Sequence, residues 1–373
     1  MAESDSLYYF SAANCYFSEK ACSDDLLRDH SNGLQLFRDT FTIWADNACF
    51  HDRTGTIITP FRTVTIPGTA MPSFTSTNTS LSEICHTRAR ALLKRAKAED
   101  RTIVIMYSGG IDSTTMLVSF MRAAKPRALR ERVLVLLNIN SINENPDFYR
   151  DHILPKCTIA HSQFYNRYIG DDRYLIINGE CNDQLWGAMQ VFDDNAHIFG
   201  DRPWDVPIQR SQFIAWLQQK VSAAKSETIF DLLDSVCQAS PISIETPWQW
   251  FWWVLFACKW QNSYMRGVAF AHPSHRNGWR PGTNFDAFYV HEDFQLWSMN
   301  NRHLLRGDKW ACKDIIYDYN RDQAYRDHKT KQGSLTHVVT KKHSVTAIDS
   351  NLVWHDAWNN PSWFRLHNSF SGS

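Results

Sequence analysis

The 373-residue chain balances 39 Lys+Arg against 39 Asp+Glu, and 43% of its residues are hydrophobic. That length and apolar content support one large or two medium globular domains, and the zero net charge argues against a surface built throughout to grip a nucleic-acid backbone, although a local basic patch stays allowed. Nine cysteines lie scattered with no CxxC pair, which gives little support to structural zinc or iron–sulfur ligation and suits reduced thiols in a cytoplasmic setting.

From the N-terminus, LYYFSA, LFRDTFTIWAD, TIITPF and TVTIPG read as short strands separated by Asn, Asp, Gly and Pro, so residues 1–75 are expected to form a small β-rich unit. The acidic, polar start MAESDSLYYF does not read as a signal peptide. MPSFTSTNTS is a polar connector, and the Ala, Leu, Arg and Lys of residues 81–99 predict a helix. An α/β segment follows, with strands expected at 102–106, 132–138 and 173–177 and a helix over 112–122. The almost wholly apolar RVLVLLN is typical of a buried parallel strand. Strands spaced by helix-length segments predict a doubly wound parallel sheet. From about residue 208 the pattern turns helical, and the tryptophan-rich run from Trp248 to Trp260 is too short to span a bilayer and reads as a buried helix. No membrane association is expected.

The most telling stretch is RTIVIMYSGGIDSTTMLVSF, residues 101–120. An apolar strand ends in a glycine turn and a helix begins at once. Gly109 and Gly110 let backbone amides approach an anion, the helix N-terminus favours negative charge, and Ser108 and Ser113 add hydroxyls. This is the arrangement that cradles phosphate. Asp112 would repel phosphate directly, but it makes sense as a Mg²⁺ ligand; the plainer reading is a helix cap. The loop is neither a Walker A motif nor a dinucleotide fingerprint. A second polar turn, Asn178-Gly179-Glu180-Cys181-Asn182-Asp183, follows the strand at 173–177. In open parallel sheets ligands bind beyond the carboxyl ends of the strands, where both turns fall.

SGGIDS after a strand resembles the signature of PP-loop ATP pyrophosphatases. The segment NGECNDQLWG is similar to the S-G-E-G-A-D-E-L-F-G-G-Y segment of asparagine synthetases, and the reduced N-terminal part looks closer to β-lactam synthetase. The resemblance covers roughly residues 80–340 and implies a synthetase domain that cleaves ATP between the α and β phosphates and adenylates a substrate oxygen. By it, Asp112 and Asp183 coordinate Mg²⁺ and Glu180 organises substrate or nucleophile. Ser108, Gly109, Gly110, Ser113, Asn138 and Gly179 fall to the nucleotide side. Lys331, in the sequence KTKQG, stands for the lysine that stabilises charge during adenylation, with Lys329 in the place of a neighbouring arginine. Cys181, Gln184 and Ala188 depart from the pattern at a glycine, a glutamate and a second glycine.

Residues 1–75 occupy the place of a glutaminase domain. That domain begins with a catalytic cysteine after the initiator methionine; Ala2 stands there instead, so an inactive remnant is expected, with an irregular tail over 341–373. The resulting expectation is an AMP-forming ligase using ATP and Mg²⁺, joining a small-molecule acid to an amine or ammonia. The alternatives are a nucleobase- or tRNA-modifying relative, which neutral charge does not favour, and an inactive ATP-binding scaffold. A homo-oligomer is allowed, and substrate identity is not legible.

Overall fold

The computed structural model describes residues 7–10, 15–18, 51–57, 62–63, 68–169, 171–187, 189–261, 263–264 and 282–329. The chain runs through short strands β1 (Leu7–Phe10), β2 (Cys15–Ser18) and β3 (Arg62–Thr63) into helix α1 (Leu81–Ala98). Then come β4 (Thr102–Met106), α2 (Ile111–Ala123), α3 (Pro126–Arg132), β5 (Val133–Leu137), α4 (Ile139–Glu144), β6 (Thr158–His161) and β7 (Tyr174–Asn178). Helices follow at α5 (Asn182–Trp186), α6 (Arg210–Gln218), α7 (Ala223–Gln238) and α8 (Pro247–Val254). The described chain closes with β8 (Phe285–Ala287), α9 (Glu292–Asn300), α10 (Trp310–Asn320) and α11 (Gln323–His328).

The architecture is mixed α/β with a parallel sheet and a helical C-terminal region, and it divides into two compact units. The first takes the described residues of 78–180, 271–294 and 309–373. Its sheet has five parallel strands in the order β6-β5-β4-β7-β8. The chain starts in the middle at β4, steps outward through β5 to β6, then crosses to the other side of β4 with β7. This is consistent with a doubly wound fold, and it puts the topological switch point between β4 and β7. Ile103 pairs with Val133 on one side and Leu175 on the other, so β4 is hydrogen-bonded on both edges. All five residues of β5 and of β7 are buried. That is why these segments are apolar without alternation: both faces of the sheet are covered. Each fully buried Val, Leu or Ile side chain contributes roughly 1.5–3 kcal/mol.

The sequence predicts three strands here, and the structure has five. β6 (TIAH) and β8 (FDA) are too short to give a run, and each gets its stability from a long neighbour already in the sheet. Helix α1 starts with a capping box in which the Ser80 hydroxyl accepts from the Glu83 amide and the Glu83 carboxylate from the Ser80 amide. Both α1 and α10 pack on α2, which explains why α2 is buried over almost its whole circumference.

The second unit takes the described residues of 1–77, 181–270 and 295–308. β1 pairs antiparallel with β2 and parallel with β3. Its helical part centres on α8, where Thr246 caps and Pro247 supplies the first helical position. Trp248, Trp250, Trp252 and Trp253 are all buried to 1% exposure or less, because a helix apolar all round must be enclosed. Three of the four indole N–H groups find partners inside: Trp250 donates to Asp234 Oδ1 (3.0 Å), Trp253 to the Val236 carbonyl (2.8 Å) and Trp252 to Ser298 Oγ (3.1 Å), which donates to the Leu185 carbonyl (2.6 Å). Among the described residues no helix is long and apolar enough to cross a membrane. The expected strands at 36–46 and the irregular tail at 341–373 lie outside the described residues.

Candidate functional site

At the end of β4 the backbone turns through Ser108-Gly109-Gly110 and enters α2. Gly109 has φ +81°, and a Cβ there would sit 2.2 Å from the Ser141 carbonyl oxygen. Only glycine fits. Gly110 is the N-cap of α2 and offers no side-chain cap, which leaves the first-turn amides of a 13-residue helix directed at the strand end. Ser113 Oγ accepts from the Ser108 amide (3.2 Å), donates to the Gly110 carbonyl (3.2 Å) and lies 3.0 Å from Ser108 Oγ. The turn is thus held in shape by its own hydroxyls.

The turn after β7 meets it. Asn178 Oδ1 accepts from the Glu180 amide (3.2 Å), shaping the backbone around Gly179. A Cβ on Gly179 would lie 3.3 Å from the Ser113 nitrogen, so glycine is what lets this turn come so close to the head of α2. The two turns that the sequence singles out separately, up to Glu180, come together at the switch point. Asn138, at the end of β5, spends its side chain locally. Its Oδ1 accepts from the Ser141 amide (3.0 Å) as a cap of α4, and its Nδ2 lies 3.2 Å from Ser162 Oγ.

Asp112 is the second residue of α2 and does not cap it. Its Oδ1 accepts from Lys309 Nζ at 2.6 Å, with the lysine side chain 7% exposed and the aspartate 24%. The Tyr289 hydroxyl donates to the Asp112 backbone carbonyl (2.8 Å). Burial pushes that phenol well above its ordinary range, so it stays a donor. Lys309 and Tyr289 are absent from the sequence reading. Tyr289 lies in an apolar stretch that reads as core. Lys309 sits just ahead of an amphipathic helix, where a lysine ordinarily faces water.

A second ion pair backs the loop. Lys329 Nζ donates to Glu144 Oε1 (2.5 Å) and to the Glu144 carbonyl (2.9 Å), with side chains 9% and 5% exposed. Burial raises the Glu144 carboxyl above its usual value, and the Lys329 ammonium opposes this. A Cβ on Gly109 would come within 2.7 Å of Glu144 Cβ, so the pair lies directly against the glycine turn. Lys329, read as the counterpart of an arginine, is therefore a partner of α4. Lys331 lies outside the described residues.

Asp183 belongs to the other unit. It stands in the first turn of α5, and its carbonyl accepts from the Gly187 amide (3.2 Å). The N-cap of α5 is Cys181, with φ 71° and ψ −8°. This left-handed conformation gives a physical reason for glycine at that place in the resembled segment; here a buried thiol, donating toward the Trp260 carbonyl at 3.7 Å, holds it. Gly187 keeps the following glycine because a Cβ would sit 3.0–3.1 Å from the Trp248 indole. Ala188 lies outside the described residues, and no group of three or more His, Cys, Asp and Glu able to hold a metal occurs among the described ones.

No protein-family model matches this chain, and no curated protein is significantly similar to it.

Proposed function

We propose that this chain is an ATP-dependent, AMP-forming synthetase of PP-loop type that joins a carboxylate, or a related oxygen acid, to an amine or ammonia. The observation that carries the reading is the approach of Gly179 to the Ser113 amide at the uncapped head of α2. A side chain at Gly179 would crowd the amides of that helix head, which the proposed phosphates would need. The amides of the first turn of α2, with the hydroxyls of Ser108 and Ser113, would bind the phosphates. Asp112 suits Mg²⁺ in the way such sites usually do, with one or two carboxylates and the remaining ligands from phosphate and water. The resemblance adds Glu180 as the residue that orients substrate, and Lys331 on the pyrophosphate side. Bound Mg²⁺ would withdraw charge from the leaving pyrophosphate.

In the first half-reaction a substrate carboxylate oxygen attacks the α phosphorus, the bond to pyrophosphate breaks, and an acyl adenylate forms. In the second a nitrogen attacks the acyl carbon, loses a proton and displaces AMP. The chain's own contribution is to hold the phosphates rigidly at the helix head, so that donors face the charge as it develops. The test is pyrophosphate and AMP release from ATP across a panel of acids with ammonia or amines, with Asp112→Asn as control. Acid-dependent release that drops at least a hundredfold in the variant is expected. Equal release by both proteins would sink the assignment.

A further inference from the structure

The proposed mechanism makes no use of Lys309. Its backbone is left-handed, at φ 57° and ψ 38°, and the residue is only 6% exposed. A non-glycine residue in that region is strained, and an ammonium out of water is costly unless it is well paired. It provides no side-chain cap to α10. What the conformation achieves is to bring Nζ to 2.6 Å from Asp112 Oδ1. The Tyr289 hydroxyl meanwhile holds the Asp112 backbone, so the carboxylate is presented from a fixed position.

Resting on the nucleotide reading above, we infer that Lys309 is a nucleotide-binding residue serving two anions in turn. Before nucleotide binds, it neutralises Asp112. When Asp112 goes to Mg²⁺, the ammonium transfers to a phosphate oxygen. Asp112 is the second residue of the helix whose first-turn amides would face the phosphates, so a cation against its carboxylate lies at the same end of the helix. The flexible four-carbon stem and rotatable donors of lysine allow the transfer, where an arginine fork would be held to one geometry. Without the Lys309 ammonium beside it, that carboxylate would repel a polyphosphate more strongly whenever Mg²⁺ is lacking.

The experiment is calorimetric titration of ATP into wild type, Lys309→Met, Asp112→Asn and the double variant, each in Mg²⁺ and in EDTA, with circular dichroism as a check on folding. A charge-assisted hydrogen bond to phosphate predicts that Lys309→Met weakens ATP binding in Mg²⁺ by roughly 10- to 100-fold. In EDTA, Asp112→Asn should bind ATP about tenfold more tightly than wild type, because it weakens the hold of residue 112 on the ammonium and removes a repelling charge, and the double variant should lose that gain. Wild-type affinity in a folded Lys309→Met protein, or a gain that persists in the double variant, would overturn the inference. If Lys309→Met does not fold, the EDTA comparison of wild type with Asp112→Asn decides, and no gain there rejects it. Failure of wild type to bind ATP at all in Mg²⁺ refutes the nucleotide reading itself, and with it this inference.

Discussion

The Lys329 ammonium binds both the carboxylate and the backbone carbonyl of Glu144, the last residue of α4. One side chain thus neutralises a buried acid and meets a carbonyl that the helix leaves without an intrahelical partner. Removing one member of such a pair leaves the other charge uncompensated in the interior. Lys329→Met should therefore destabilise the protein by about 3–5 kcal/mol. Glu144→Gln, which keeps an acceptor, should lose less. Urea unfolding of both variants and of the double checks this. Equal losses in the two single variants would contradict the asymmetry.

Gly109 offers a test of the turn itself. Gly109→Ala would place a methyl group 2.2 Å from the Ser141 carbonyl oxygen on a backbone at φ +81°. Both the clash and the left-handed strain act, so a loss of about 2 kcal/mol or more is expected, together with impaired nucleotide binding. Gly110→Ala meets only Ser108 Oγ at 3.5 Å, so stability should stay close to wild type. Thermal melts of the two side by side separate a steric account from a general intolerance of the loop.

Stability should also depend on pH through His51. Burial lowers its pKa from 6.5 to about 4, so the folded protein keeps the imidazole neutral where the unfolded chain would protonate it. Stability is therefore full above pH 6.5, falls as pH drops from 6.5 to about 4, and levels off below. The total is about 3 kcal/mol at 1.36 kcal/mol per unit. His51→Gln should flatten that part of the profile in denaturant titrations from pH 7.5 to 4.

Cys85, Cys157, Cys181, Cys237, Cys258 and Cys312 are buried. Burial pushes the Cys157 thiol up to about 12 and three others well above their ordinary range, so little thiolate is present near neutral pH. Brief alkylation of the native protein followed by mass spectrometry should leave these six unlabelled, and urea should expose them. Rapid native labelling of any one would contradict its placement.

The sheet was largely legible because β4, β5 and β7 are long apolar runs whose burial is written in their composition. β6 and β8 were not, since four and three residues carry no periodicity and pair only once a neighbour exists. The glycine turns were legible because glycine is needed where a backbone crowds another, as at Gly109 and Gly179. Lys309 and Glu144 were not. A charged residue in sequence looks solvated, and only tertiary packing brings Lys309 to Asp112 and Lys329 to Glu144. Cys181 is the converse: it departs from the glycine of the resembled segment, yet the backbone there has a glycine-like conformation.

β8 has a consequence for how the protein is made. Its three residues pair with β7, although more than a hundred positions separate Asn178 from Phe285. Until the ribosome has synthesised that intervening chain, β7 presents a bare edge with unsatisfied amides and carbonyls, open to any passing strand. The growing polypeptide is therefore most vulnerable to misassociation over that interval, and slowing translation there would lengthen the exposure.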